Sequence, residues 1–181
     1  MIKHDSIAAR VRALAAMIHQ DYKGRRPVLV CILKGACPFY QHLLDALMDL
    51  RQGFLTEFFR VSTYEGTSSS GQVKFSGGFS AEDLEGRDVI LVEDIIDTGT
   101  TISQLIPLLK EQCHSIKSVE VCSLLSKRLE EPAKVEAKYV GFSIPNHFII
   151  GYGLDYNELY RDLKDIWVIS TTGIQFDSKT L

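Results

Sequence analysis

Continuous apolar runs alternate with amphipathic stretches along this chain. Val28–Leu33 (VLVCIL) and Val89–Val92 (VILV) are short, rich in β-branched residues and bounded by polar ones. That pattern suits strands buried on both faces, as in a parallel sheet. Ahead of the first run the period lengthens: Ile7, Val11, Leu14 and Ile18 fall on one face of a helix that Asp5 or Ser6 can cap and Gly24 ends. Pro38 suits the first turn of a second helix, Phe39 to Leu50. Leu55–Val61 reads as a strand and Val73–Phe79 as its hairpin return, with Asp83–Arg87 leading into the central run. Ile102, Leu105, Ile106 and Leu109 mark a third helix, which Pro107 is expected to kink or shorten. Ser118–Leu125, Tyr139–Ile144 and Ile166–Ser170 (IWVIS) are further strands. Strands alternating with helices predict an α/β fold with a mainly parallel sheet. No repeat or linker divides residues 1–181, so a single domain is expected.

Composition narrows the function. The chain has 181 residues, 45% hydrophobic and 24% charged, enough for one sizeable core. A net charge of −3 gives no basic footprint for nucleic acid, and no apolar run approaches a membrane span. Cys31, Cys37, Cys113 and Cys122 form no C-x-x-C pair, metal-ligand spacing or disulfide framework. With no signal-peptide pattern at the start, a reducing cytoplasm is the expected home. Neither a G-x-G-x-x-G nor a P-loop signature is present.

The chemistry gathers where strands end. Glu93 and Asp94 directly follow the central run, and Asp97-Thr98-Gly99-Thr100-Thr101 then forms a small polar loop before a helix. Adjacent acids at the end of a buried strand repel and invite a cation or sugar hydroxyls. Backbone N–H groups of the loop and helix start suit a phosphate. Ligands of open α/β sheets bind outside the carboxyl ends of the strands. Lys34-Gly35, Lys127-Arg128 and Asp155 are placed at such ends too. Thr63–Gly71 (TYEGTSSSG) is small, polar and aperiodic, as an active-site lid would be.

The stretch EDIIDTGTT resembles the phosphoribosyl-diphosphate (PRPP) loop of type I phosphoribosyltransferases, in the form found in the hypoxanthine-guanine branch. LKGA at Leu33–Ala36, the STY of the lid, SKR at Ser126–Arg128, VGFSIP at Val140–Pro145 and FIIGYGLDYNELYRD at Phe148–Asp162 extend the resemblance over nearly the whole chain. It implies the type I phosphoribosyltransferase fold, a mainly parallel sheet flanked by helices, with a small hood and a flexible lid at about residues 63–74. The implied reaction moves the phosphoribosyl group from PRPP to hypoxanthine or guanine, with Mg²⁺, in a homodimer or homotetramer. The resemblance gives Lys34, Gly35, Arg161 and the lid pair Thr63-Tyr64 to the diphosphate, and Glu93 and Asp94 to the ribose hydroxyls. Asp97 matches the general base, and residues 97–101 the cradle of the 5-phosphate. Lys127, Phe148, Ile149 and Asp155 fall to the purine end, and Glu93, Asp94 and Asp155 to magnesium. A non-proline cis peptide is implied at Leu33–Lys34. Thr63 stands where the family commonly has Ser, and Thr100 where some members have Lys. Xanthine preference is the alternative among enzymes. A PRPP-binding regulator of nucleic acid would need a basic face, which the net charge does not offer.

Overall fold

The structure, a computed structural model, describes residues 1–63, 73–76 and 81–175. The elements in order are α1 (His4–Asp21), β1 (Val28–Leu33), α2 (Cys37–Asp49), β2 (Leu55–Thr63), β3 (Val73–Ser76), α3 (Ala81–Leu84), β4 (Asp88–Ile96), α4 (Thr100–Gln112), β5 (Ser118–Arg128), β6 (Tyr139–Pro145), β7 (Ile149–Ile150), β8 (Trp167–Val168) and α5 (Thr171–Gln175). Six strands form one sheet in the order β3-β2-β1-β4-β5-β6. Neighbours from β2 to β6 run parallel, and β3 returns antiparallel on the edge.

The strand period of two sorts the central residues between two cores. Ile90 and Val92 of β4 join Leu29 and Cys31 of β1 in packing against α1 and α2, where Leu14, Phe39 and Leu43 are fully buried. Val89 and Leu91 turn the other way, with Val28 and Val30, onto Ile102, Leu105 and Leu109 of α4. Burial on both faces is why these runs are continuously apolar.

Several expected boundaries move. β4 does not stop at Val92 but continues through both acids to Ile96, because pairing with β5 persists at Glu93↔Ser123, Ile95↔Leu125 and Ile96↔Ser126. β5 likewise runs on through Lys127 and Arg128, paired with Ile144 and Pro145. The backbone ladder outweighs the polarity of the side chains it carries. Neither Asp5 nor Ser6 caps α1; the helix begins earlier, and Asp165 Oδ1 accepts the His4 N–H at 2.9 Å. Pro107 does not shorten α4, which reaches Gln112 with Leu105 and Leu109 buried on either side of it. The IWVIS run stays out of the main sheet. Only Trp167 and Val168 are strand, exposed, and paired antiparallel with β7 after the chain doubles back at Gly151 and Gly153.

Asp88 anchors the start of β4. Its buried carboxylate accepts from Ser118 Oγ at 2.7 Å and Arg25 Nη1 at 3.0 Å, with Lys117 Nζ at 3.6 Å. Burial pushes this carboxyl up, but the Ser118 hydroxyl and the two cations outweigh it and leave its pKa lowered. The stabilisation is therefore present above the ordinary aspartate range and fades as pH falls through the lowered value. Asp88→Asn is expected to cost about 1.5–3 kcal/mol at neutral pH, or roughly 3–12 °C in Tm for a chain of this size. Thermal melts from neutral to strongly acidic pH check both the loss and the narrowing of the gap in acid.

Candidate active site

Three chain segments meet at the carboxyl end of β4. A Cβ built on Gly35 would lie 1.7 Å from Asp94 Oδ2, so only glycine lets the loop after β1 lie against the acid. Gly153, at φ +96°, presses on that loop from the other side; a Cβ there would be 2.2 Å from the Gly35 carbonyl oxygen. The Leu33–Lys34 peptide is cis. Asp94 Oδ1 accepts its neighbour Ile95 N–H at 2.7 Å. Glu93 Oε2 is sealed from solvent and has no hydrogen-bond partner among the described residues.

The acids are held against their preference for charge. Burial pushes Glu93 well above the ordinary glutamate range, and the charge of Asp94 and the hydrogen bond between them push it further. Burial raises Asp94 as well, opposed by the hydrogen bonds from Glu93 and Ile95 and by the nearby Arg161. Two acids in contact share a proton when neither is solvated and no cation is bound.

Beyond them the chain turns through Asp97–Thr101 into α4 and lines, with Glu93, a cavity of about 80 Å³. Gly99, at φ +73°, makes the turn and caps the helix. Its carbonyl accepts the Ser103 N–H, and Lys134 N–H donates to the Thr98 carbonyl at 2.9 Å. The Thr98 and Thr100 hydroxyls lie 3.0 Å apart. This is a compact pocket of hydroxyls at a helix N-terminus, suited to an anion.

The β4–β5 register carries Asp97 and Lys127 side by side, one step past Ile96↔Ser126. Lys127 Nζ donates to Asp97 Oδ2 at 2.6 Å; the lysine is nearly buried and the aspartate half exposed. Phe148 is half exposed and meets Tyr156 edge-on, with centroids 5.3 Å apart. Ile149 is buried in the β7–β8 pair. Arg161 donates through Nη1 to the Gly153 carbonyl at 2.7 Å and pairs through Nη2 with Asp155 Oδ1 at 2.8 Å. Asp155 thus stands apart from the Glu93–Asp94 pair, with its other oxygen taken by the Glu158 N–H. Of the lid pair, Tyr64 lies outside the described residues and Thr63 ends β2.

A family model described as the phosphoribosyl transferase domain matches residues 2–157. Hypoxanthine-guanine phosphoribosyltransferase of Canis lupus familiaris is 40% identical over 178 residues, covering 95% of this chain and 81% of that one. The chain belongs to the hypoxanthine-guanine phosphoribosyltransferase family. A bifunctional TilS/HprT protein of Listeria monocytogenes is 42% identical over 173 residues; the match covers 93% of this chain but a quarter of that longer protein. Among solved structures, hypoxanthine phosphoribosyltransferase of Trypanosoma cruzi in complex with the product IMP superposes with TM-score 0.84 at 37% identity, covering 95% of this chain and 94% of that one. The fold is the type I phosphoribosyltransferase fold.

Family members of this kind invite a test for magnesium. Among the described residues no three His, Cys, Asp or Glu side chains gather closely enough to hold a metal. Magnesium is usually held by one or two carboxylates with substrate phosphates and water rather than by an all-protein cage. A pair of hard oxygen donors, one with an orphaned sealed oxygen, fits that mode. Sequence reasoning gave no role to Gly153 or Glu158, although both lie in the FIIGYGLDYNELYRD block. A glycine spacing of two was the only signal for the first, and none marked the second.

The raised Glu93 carboxyl predicts a trade of stability for function in this phosphoribosyltransferase. A raised pKa means that the folded state holds the proton more tightly than the unfolded one, so stability falls as pH rises through and above the ordinary glutamate range. Glu93→Gln removes that cost. Its Tm at slightly alkaline pH is expected to exceed wild type by about 2–4 °C for each kcal/mol relieved, with the advantage shrinking in acid. Scanning calorimetry across pH reads this directly.

Proposed function

We propose that this enzyme transfers the 5-phosphoribosyl group of PRPP to hypoxanthine or guanine, giving the nucleoside monophosphate and diphosphate. The observation that carries the reading is the convergence at one sheet edge of Gly35 against Asp94, the Asp97–Thr101 cavity and the Asp97–Lys127 pair. Residues 1–181 act as one domain, with the PRPP loop at 93–101 and the lid at about 63–74. The T. cruzi relative with bound IMP and the canine relative's activity support the purine class. The cysteine pattern supports a cytoplasmic enzyme, and exposed apolar residues such as Met48, Phe58 and Trp167 support a homodimer or homotetramer.

Thr98, Gly99, Thr100 and Thr101 hold the 5-phosphate at the start of α4. Glu93 and Asp94 hold the ribose hydroxyls and face the sugar carbon as it gains oxocarbenium character, where a fixed negative charge stabilises the transition state. Lys34 and Arg161 donate to the departing diphosphate, with Arg161 able to grip two oxygens, and the Gly35 backbone and the lid pair Thr63-Tyr64 close on it. Glu93 and Asp94, and separately Asp155, would hold magnesium together with substrate oxygens, and the metal would offset the charge of the diphosphate. Phe148 stacks on the base and Ile149 meets its edge through the backbone. Asp97 accepts the imidazole proton. The Lys127 ammonium has three N–H donors; one goes to Asp97 and leaves others for the purine keto oxygen. An adenine amino group would meet these donors with further N–H donors and no acceptor, which costs about 1–3 kcal/mol.

Incubation with PRPP and each of hypoxanthine, guanine, xanthine and adenine, with and without Mg²⁺, tests the reading. Turnover of hypoxanthine or guanine that stops in excess EDTA is expected; preference for xanthine, or binding of PRPP with no turnover, overturns it. Asp97→Asn is expected to lower kcat by about 10²–10⁴-fold while PRPP affinity, measured by calorimetry, stays close to wild type. Lys127→Ala is expected to weaken use of both 6-oxopurines far more than it weakens PRPP binding.

A further inference from the structure

Glu158 has no part in the reaction described above. It follows Asp155 and Asn157 in a tight turn in which Asn157, Glu158 and Tyr160 all take positive φ, at +51°, +65° and +73°. Non-glycine residues rarely adopt this region, and runs of them persist only where surrounding contacts over-determine the loop. The turn aims the Glu158 side chain back across the site. One oxygen, Oε2, lies 3.0 Å from Lys34 Nζ, and the other, Oε1, lies 3.3 Å from Arg161 Nη2. A single carboxylate therefore bridges the two cations assigned above to the diphosphate. The Glu158 backbone is tied in turn by its N–H to Asp155 Oδ2 at 2.8 Å. Arg161 Nε is sealed and has no hydrogen-bond partner among the described residues. The guanidinium is thus held in place yet retains a donor that no described residue satisfies.

We propose that Glu158 is an internal anion that occupies the diphosphate cations in the free enzyme and is displaced when diphosphate or PRPP arrives. The inference rests on the assignment of Lys34 and Arg161 to the diphosphate. The geometry favours displacement over permanent structure. Both Lys34 and Glu158 are more than half exposed, so their contact is weak and readily exchanged. A diphosphate carries more charge and more acceptor oxygens than one carboxylate, so it competes for Lys34 and Arg161 at once. Arg161 is already fixed by Asp155 at 2.8 Å and the Gly153 carbonyl at 2.7 Å; until the anion arrives, Glu158 keeps Lys34 turned toward it, so the incoming anion meets a preset pair of cations. Displaced, it is repelled by the anion that replaces it. It therefore weakens substrate and product binding alike and speeds diphosphate release.

The test is calorimetric titration of inorganic diphosphate with Mg²⁺ into the intact enzyme, at low and high salt. Glu158→Gln keeps the shape and removes the charge. It is expected to bind diphosphate about threefold to tenfold more tightly than wild type, with a steeper salt dependence and a lower KM for PRPP. Glu158→Asp, whose shorter arm reaches one cation rather than two, is expected to fall between them. Unchanged or weaker binding by Glu158→Gln overturns the proposal, because a merely structural residue loses affinity when altered. Lys34→Ala separates this failure from that of the underlying assignment. If Lys34→Ala leaves diphosphate binding intact, Lys34 does not belong to the diphosphate, and the proposal falls with it. If Lys34→Ala weakens binding while Glu158→Gln does not tighten it, the assignment stands and the internal anion alone is refuted.

Discussion

The contact between Gly35 and Asp94 constrains everything around it. A carboxylate oxygen occupies the space where any side chain at position 35 would begin. The loop after β1 can therefore pass the end of β4 at backbone distance, and the turn at Gly153 can close over the loop. Neighbouring parallel strands bring these ends together, but the acid fixes how near they come. The result is a site built from backbone in which few side chains can vary without moving the strands themselves.

Charge in the free site is balanced almost entirely from within. Asp97 has Lys127, Arg161 has Asp155, Lys34 has Glu158, and Glu93 and Asp94 have one another. Only the last arrangement is costly, since two acids partly withdrawn from water gain nothing from each other without a proton or a cation. The two ends of β4 thus behave oppositely. Asp88 at its start is satisfied by Ser118 and Arg25 and stabilises the strand. The pair at its far end is under strain that a cationic partner relieves.

Much of this was legible in the sequence. Runs such as VLVCIL and VILV announce strands buried twice over, because no other element needs apolar residues at every position. The DTGTT loop, Lys34 and Lys127 could be placed at strand ends from the same pattern. Strand lengths could not, since Glu93 to Ile96 and Lys127-Arg128 are held in the sheet by partners remote in sequence. The IWVIS run misled for a related reason: hydrophobicity signals a strand but not which sheet it joins, and a doubling of the chain at two glycines sent it to β7. Glu158 was invisible because its role comes from three left-handed residues, Asn157, Glu158 and Tyr160, in a turn that aims it at a lysine 124 positions away.

Arg10 of α1 donates through Nε to the Gly141 carbonyl at 2.6 Å and through Nη2 to the Val140 carbonyl at 2.8 Å. Both acceptors belong to β6, the outermost parallel strand. An open edge strand is a template on which another chain can extend the ladder, the first step toward fibrous aggregation. With a guanidinium clamped over adjacent carbonyls, this edge offers a foreign strand fewer acceptors and a positive charge to displace. The same helix that buries Leu14 and Ile18 in the core thereby acts as a guard against uncontrolled polymerisation.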